Sequence, residues 1–151
     1  NAFIMTSMMQ DVIKRGTAAR ARKLGRTDLA GKTGTTSNFI DAWFCGFQKD
    51  LVTIAWSGFD EPKSLGKNET GGRVALPIWM SYMGKVLSDT PNVKYIPPKG
   101  VITTRINPDT GLRELNSGIT EYFFHEQLPP LAETYVDNST KIIEEFNDQL
   151  F

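Results

Sequence analysis

Cysteine occurs once, at Cys45, and histidine once, at His125, in a chain of 151 residues. A single cysteine excludes an internal disulfide framework and a cysteine-based metal cluster. It fits either redox compartment, so it does not decide localisation. The lone His125, set among Tyr122, Phe123 and Phe124 with no cysteine nearby, supports neither a metal site nor a catalytic triad. A packed or surface role is expected for it, with no metal and no cofactor. Neither sign of charge is in excess: 17 basic side chains against 17 acidic ones give a formal net charge of zero. That balance argues against nucleic acid, whose partners displace counterions with a basic face. No apolar run approaches the ~20 residues that cross a bilayer, and no basic-then-apolar leader opens the chain. A starting methionine is missing too. Asn1 leads straight into a helical pattern, from which we expect a piece of a longer polypeptide whose N-terminal side lies outside it. Internal repeats and low-complexity runs are absent.

What is present reads as α+β. Ile4, Met5, Met8, Met9, Val12 and Ile13 recur at three- and four-residue spacing, one buried face of a helix. Gly16 is expected to end it as a left-handed cap. Ala18–Leu24, with Arg20, Arg22 and Lys23, reads as a further helical turn whose short basic cluster is solvated surface. Three strands are predicted at Asp28–Thr36, Asp41–Phe47 and Leu51–Gly58. Gln48-Lys49-Asp50 is a hairpin-length link, so the last two should pair antiparallel. A helix is predicted from about Val74 to Leu87, with Ile78, Trp79, Tyr82, Met83, Val86 and Leu87 on its buried side and Pro77 in its first turn. From Ser88 onward, prolines punctuate short apolar pieces in a loop-rich tail, and Lys141–Leu150 reads as a short closing amphipathic helix. We accordingly divide the chain at residues 1–90 and 91–151.

The stretch Ala30–Phe44, AGKTGTTSNFIDAWF, sets a lysine between glycines and follows it with four hydroxyl residues in five positions. A phosphate-binding loop would need four residues between its glycines, a strand before it and a long helix after it. Here five residues, Arg26 to Ala30, lie between Gly25 and Gly31, with helix-like sequence before and strand-like sequence after. Taken as a strand, the segment puts Lys32, Gly34 and Thr36 on one side, Thr33 and Thr35 on the other. Gly34 lets a ligand lie against the backbone, free N–H groups can donate to an acyl oxygen, and threonine hydroxyls beside a cation suit a carboxylate.

Lys32-Thr33-Gly34 matches a motif established for penicillin-binding proteins and serine β-lactamases. With GTAARA (Gly16–Ala21), GKTGTT (Gly31–Thr36), DAWFCGF (Asp41–Phe47), TIAWSGFD (Thr53–Asp60) and TGGRVALPIW (Thr70–Trp79) in order, the chain resembles class A, bifunctional penicillin-binding proteins in the C-terminal part of their transpeptidase domain. NPDTG (Asn107–Gly111) and TEYFFHEQLPP (Thr120–Pro130) are similar to that group's closing segments. The resemblance implies a β-lactamase/transpeptidase-like fold, an antiparallel sheet covered by helices. It implies a serine acyl-enzyme D,D-transpeptidase that cross-links peptidoglycan, in a parent protein that also carries a glycosyltransferase domain. The partners implied are peptidoglycan stem peptides and lipid-linked precursors, β-lactam antibiotics, and the remainder of the same polypeptide. The location implied is the periplasmic face of the bacterial inner membrane, with the anchor outside this chain. Carried onto matching positions, Lys32 polarises the active-site network and attracts the substrate carboxylate, which Thr33 and Thr35 bind through their hydroxyls. The Thr35 N–H is one oxyanion donor; Gly34 and Thr36 belong to the same substrate-binding motif.

The family also needs S-x-x-K and S-x-N. S-x-N occurs nowhere in the sequence, and the one S-x-x-K string, Ser64-Leu65-Gly66-Lys67, falls in a polar loop after Lys32. Ser64 is therefore expected to be a chance match, and this chain to supply the Lys32 wall of a site whose nucleophile lies elsewhere, so that alone it is inactive. A β-lactamase, a D,D-carboxypeptidase or a non-catalytic module of this fold are the alternatives. Trp43, Phe44, Phe47 and Trp56 at strand spacing read as core or as the floor of a groove. Asp41 reads as structural. Thr70–Arg73 opens a helix and fits an anion site or simple capping equally. The acceptor patterns at Asn68 and Asn138 are expected to stay unmodified.

Overall fold

The computed structural model describes residues 1–132; the predicted helix at Lys141–Leu150 and the Asn138 pattern lie outside the described residues. The chain divides into one compact unit, Asn1–Ile96, and a second that begins at Pro97.

The first unit opens with α1, Ala2–Lys14. Its buried contacts are Ser7 and Ile13, while Met5 and Met8, assigned above to the inner face, are exposed. Gly16 is not left-handed. The chain doubles back over the helix end instead, with the Ala18 N–H donating to the Val12 carbonyl at 3.0 Å. A Cβ on Gly16 would lie 2.8 Å from the Val12 Cα, so it is close approach that demands glycine here. A 3₁₀ turn, Ala19–Leu24, follows, and its left-handed cap is Gly25, at φ 66°.

Three strands come next: β1, Ala30–Thr35; β2, Ala42–Gln48; β3, Leu51–Ser57. They pair antiparallel in the order β1-β2-β3, so the meander expected from the hairpin-length link is present and β1 forms an edge. Asp28, placed above at the start of the first strand, lies before it and is buried. Its carboxylate takes a two-pronged ion pair from Arg26 at 2.9 and 2.7 Å, plus the Gln48 amide and the Val93 N–H, each at 3.1 Å. Arg26 also donates to the carbonyls of Leu87, Thr90 and Pro91, which ties the chain beyond α2 to the start of the sheet. Burial pushes the Asp28 carboxyl up, but the Arg26, Val93 and Gln48 hydrogen bonds and the Arg26 charge outweigh it and hold the pKa below its ordinary value. Burial, followed by the negative charges of Asp28 and Asp50, pushes the Tyr95 hydroxyl up.

One sheet face is covered by α2, Ala75–Val86, which buries Ala75, Leu76, Trp79 and Met83. Phe44 meets Trp79 edge-on at 4.8 Å between ring centroids, at the centre of the core. Pro77 is the third helical residue, where no helical N–H bond is required. Ile78, Tyr82 and Val86, predicted to be buried, are exposed instead; they repeat every four residues on a stripe that turns away from the sheet. The opposite sheet face carries Trp43, Val52, Ile54 and Trp56, all exposed. Of the four strand aromatics, Phe44 is therefore the fully buried one, and Trp43 and Trp56 pack tilted on the open face with ring centroids 6.0 Å apart.

The second unit contains an antiparallel pair, β4, Val101–Ile106, and β5, Ile119–Phe124. His125 opens a short 3₁₀ turn after β5. No helix among the described residues is long and apolar enough to cross a membrane.

Candidate active site

The lysine motif occupies β1, and strand alternation splits it as the spacing predicts. Thr33 and Thr35 line a cleft of about 590 Å³ together with Thr17, Arg20, Thr70 and Arg73. Lys32 and Gly34 belong to the other face, opposite Cys45 and Trp43. Lys32 is exposed, and its ammonium donates to the Thr33 carbonyl at 2.9 Å. The cations among the cleft-lining side chains are thus Arg20 and Arg73.

The hydroxyls are held by their surroundings. Thr33 Oγ1 and Thr17 Oγ1 share a hydrogen bond at 2.9 Å, which ties the segment before the 3₁₀ turn to the strand. The Gly71 N–H donates to Thr35 Oγ1 at 3.0 Å. With that lone pair engaged, the Thr35 hydroxyl keeps its proton to donate. The loop must come very close for this contact: a Cβ on Gly71 would lie 2.5 Å from the Gly34 carbonyl oxygen. Gly34 is closed in on its own side by the Trp43 side chain.

Thr36 is not among the cleft-lining residues. Its hydroxyl accepts the Asp41 N–H at 2.8 Å, and its own N–H reaches back to the Asp41 carbonyl at 3.1 Å. Asp41 also accepts the Trp56 indole N–H at 2.9 Å, the structural role expected of it. Because the Thr36 N–H points toward the β2 side, Thr35, one residue earlier on extended chain, directs its N–H to the unpaired edge. A backbone donor, two threonine side chains and two guanidinium-bearing residues therefore converge along one strand edge.

Thr17 and Arg20 are not singled out for binding in the sequence, whereas Thr70–Arg73 reads there as an anion site or simple capping equally. GTAARA held the signal, but a short basic cluster ahead of a strand reads as surface unless the Thr17–Thr33 contact is known. Thr70–Gly72 does run along the cleft, and its Thr70 carbonyl accepts the Val74 N–H at 2.9 Å as α2 begins. Ser64 sits in an exposed loop, where its hydroxyl accepts the Gly66 N–H at 3.2 Å. Among the described residues no cluster of three or more His, Cys, Asp or Glu could hold a metal ion.

No family model matches the chain. Against curated proteins it is 53% identical over 133 residues to penicillin-binding protein 1A of Pseudomonas aeruginosa, covering 85% of this chain and 16% of that protein. It is 46% identical over 127 residues to penicillin-binding protein 1A of Neisseria gonorrhoeae, covering 79% of this chain and 16% of that protein. Its fold is similar to the crystal structure of penicillin-binding protein 1A from Haemophilus influenzae. There the TM-score is 0.79 at 36% identity, with 85% of this chain and 20% of that one covered. The chain spans 16% of the length of these curated relatives.

Proposed function

Because this chain belongs to the class A penicillin-binding proteins and has their α+β transpeptidase fold, we propose that the β1 edge is one wall of a serine D,D-transpeptidase site in the longer protein. The observation that carries this reading is the division of the motif across a single strand edge. On one side lie hydroxyls and two arginines, Arg20 and the Glu69-paired Arg73, with the Thr35 N–H at the edge itself and Lys32 on the other side.

The chemistry follows from that division. The terminal carboxylate of a stem peptide, or the carboxylate of a β-lactam, lies against the Thr33 and Thr35 hydroxyls. The carbonyl under attack then falls at the strand edge, where the Thr35 N–H stabilises the developing oxyanion with a second donor from the nucleophile's own backbone. A serine from outside this chain attacks; its proton passes through the network that Lys32 polarises to the leaving D-alanine amine. An amine of a neighbouring stem peptide next attacks the acyl-enzyme and restores the serine. We assign Thr36 to hold the end of the strand through Asp41.

The open sheet face supports a nucleophile supplied by the rest of the polypeptide. Lys32 stands opposite Cys45, which pairs with Ile54. Trp43, Trp56 and Val52 share that face at 38, 44 and 74% exposure. An apolar area of this kind marks a surface that another element covers. The element covering it would meet Lys32 directly. On this reading the parent protein acts on the periplasmic face of the inner membrane, anchored outside this chain, on peptidoglycan stem peptides and lipid-linked precursors, and it is a target of β-lactams.

The test is Lys32→Ala in the full-length protein, read by the second-order rate of labelling with a fluorescent penicillin. The rate should fall about 10²–10³-fold, as for loss of one well-placed electrostatic group. The melting temperature should hold, because Lys32 is exposed and leaves no core cavity. Lys32→Arg should restore only part of the rate, since a planar fork does not replace a compact ammonium. Labelling of Lys32→Ala at the parent rate would refute the reading.

A further inference from the structure

Three cations stand near the β1 cleft with different commitments. Arg73 is held by Glu69 at 3.6 Å. Lys32 lies on the far face with its ammonium on the Thr33 carbonyl. Arg20 lines the cleft, is exposed, and has no hydrogen-bond or ion-pair partner among the described residues. Its neighbour Arg22 is turned to the Ala19 carbonyl at 3.2 Å and away from such a role.

The backbone that carries Arg20 is fixed in place. It sits in the 3₁₀ turn Ala19–Leu24, whose Ala21, like Ala18 just before it, is fully buried. The turn is registered on β1 by the Thr17–Thr33 hydroxyl contact at 2.9 Å. Thr17 lies just ahead of the turn's N-cap, Ala18. Both Thr17 and Arg20 line the same cleft as Thr33 and Thr35. A guanidinium offers two parallel N–H donors that match the two oxygens of a carboxylate, and neighbouring hydroxyls complete the cradle.

We propose that Arg20 is the residue that recognises the substrate carboxylate and makes the site selective for acyl donors with a free carboxylate, while Lys32 serves the nucleophile on the other face. This rests on the transpeptidase reading above and deepens it. It assigns attraction of the carboxylate to Arg20, whereas the motif alone would assign it to Lys32.

The experiment compares benzylpenicillin with its methyl ester as acylating agents of the full-length protein and of its Arg20→Gln and Arg20→Lys variants. The readout is the ratio of the acid rate to the ester rate. Losing a charge-assisted bond to a carboxylate should lower the acid rate of Arg20→Gln about 10- to 100-fold, with the ester rate little changed. Arg20→Lys should recover part of the ratio. An unchanged acid rate in Arg20→Gln, or an equal loss for acid and ester, would overturn the proposal. Lys32→Ala, run beside them, separates the two readings. If it is slow while Arg20→Gln matches the parent, the assignment of Arg20 fails alone; if it too matches the parent, the transpeptidase reading has failed.

Discussion

Gly71 offers a sharp test of how the cleft is built. An ideal Cβ on this residue would stand 2.5 Å from the Gly34 carbonyl oxygen and 3.1 Å from the Gly34 nitrogen, and nearer still to the Trp43 carbonyl. Carbon–oxygen contacts need about 3.3 Å, so Gly71→Ala must push the loop off β1 by more than about 0.8 Å. The Gly71 N–H to Thr35 Oγ1 bond, now 3.0 Å, would stretch beyond hydrogen-bonding range. Overpacking of this kind costs about 1–3 kcal/mol, and the lost hydrogen bond adds about 0.5–1.5 kcal/mol. The displacement also reaches α2, because the Gly71 carbonyl accepts the Leu76 N–H at 2.8 Å. For the site, a shift of this size at Thr35 should slow acylation by up to about 10²-fold. The assay is denaturant unfolding together with the penicillin acylation rate of the full-length protein. Parent values in both measurements would show that the loop can yield without consequence, and the account of how Thr35 is positioned would be wrong.

The buried Arg26–Asp28 pair predicts that Asp28→Asn destabilises the protein by about 3–5 kcal/mol, since Arg26 stays buried without its counter-charge, as denaturant unfolding would measure. The Asp28 pKa is lowered from 3.8 in the folded state, so its contribution is fully present above that value and is lost as pH falls below it. The parent should therefore lose stability more steeply in acid than Asp28→Asn, and identical acid limbs would contradict this. Ser64→Ala should leave penicillin labelling of the full-length protein unchanged, because that hydroxyl serves its own loop; loss of labelling with an intact fold would move the nucleophile to Ser64.

Strand and helix periods were legible because they are local. Alternation along β1 separated Lys32 from Thr33 and Thr35, and the hairpin-length link joined β2 to β3. The faces of α1 and α2 were less so. Apolar residues at helical spacing mark a stripe but do not say whether an element of this chain covers it, and Met8, Ile78 and Tyr82 remain exposed. Gly16 departs from its expectation for a related reason: a glycine after a helix suggests a left-handed cap, whereas the return of the chain over Val12 is what requires it.

By itself the sequence determined the family, through an ordered set of short motifs, and with it the strand that carries the lysine motif. Tertiary structure decided which side chains share the cleft. Thr17 meets Thr33 across sixteen residues, and Gly71 meets Thr35 across thirty-six. Arg26 binds carbonyls more than sixty residues away. No period or spacing records such pairs, because a hydroxyl or guanidinium is the same residue whether solvated or engaged; its partner is set by where the chain returns. That is why Arg20 reads as surface in the sequence and lines the cleft in the fold.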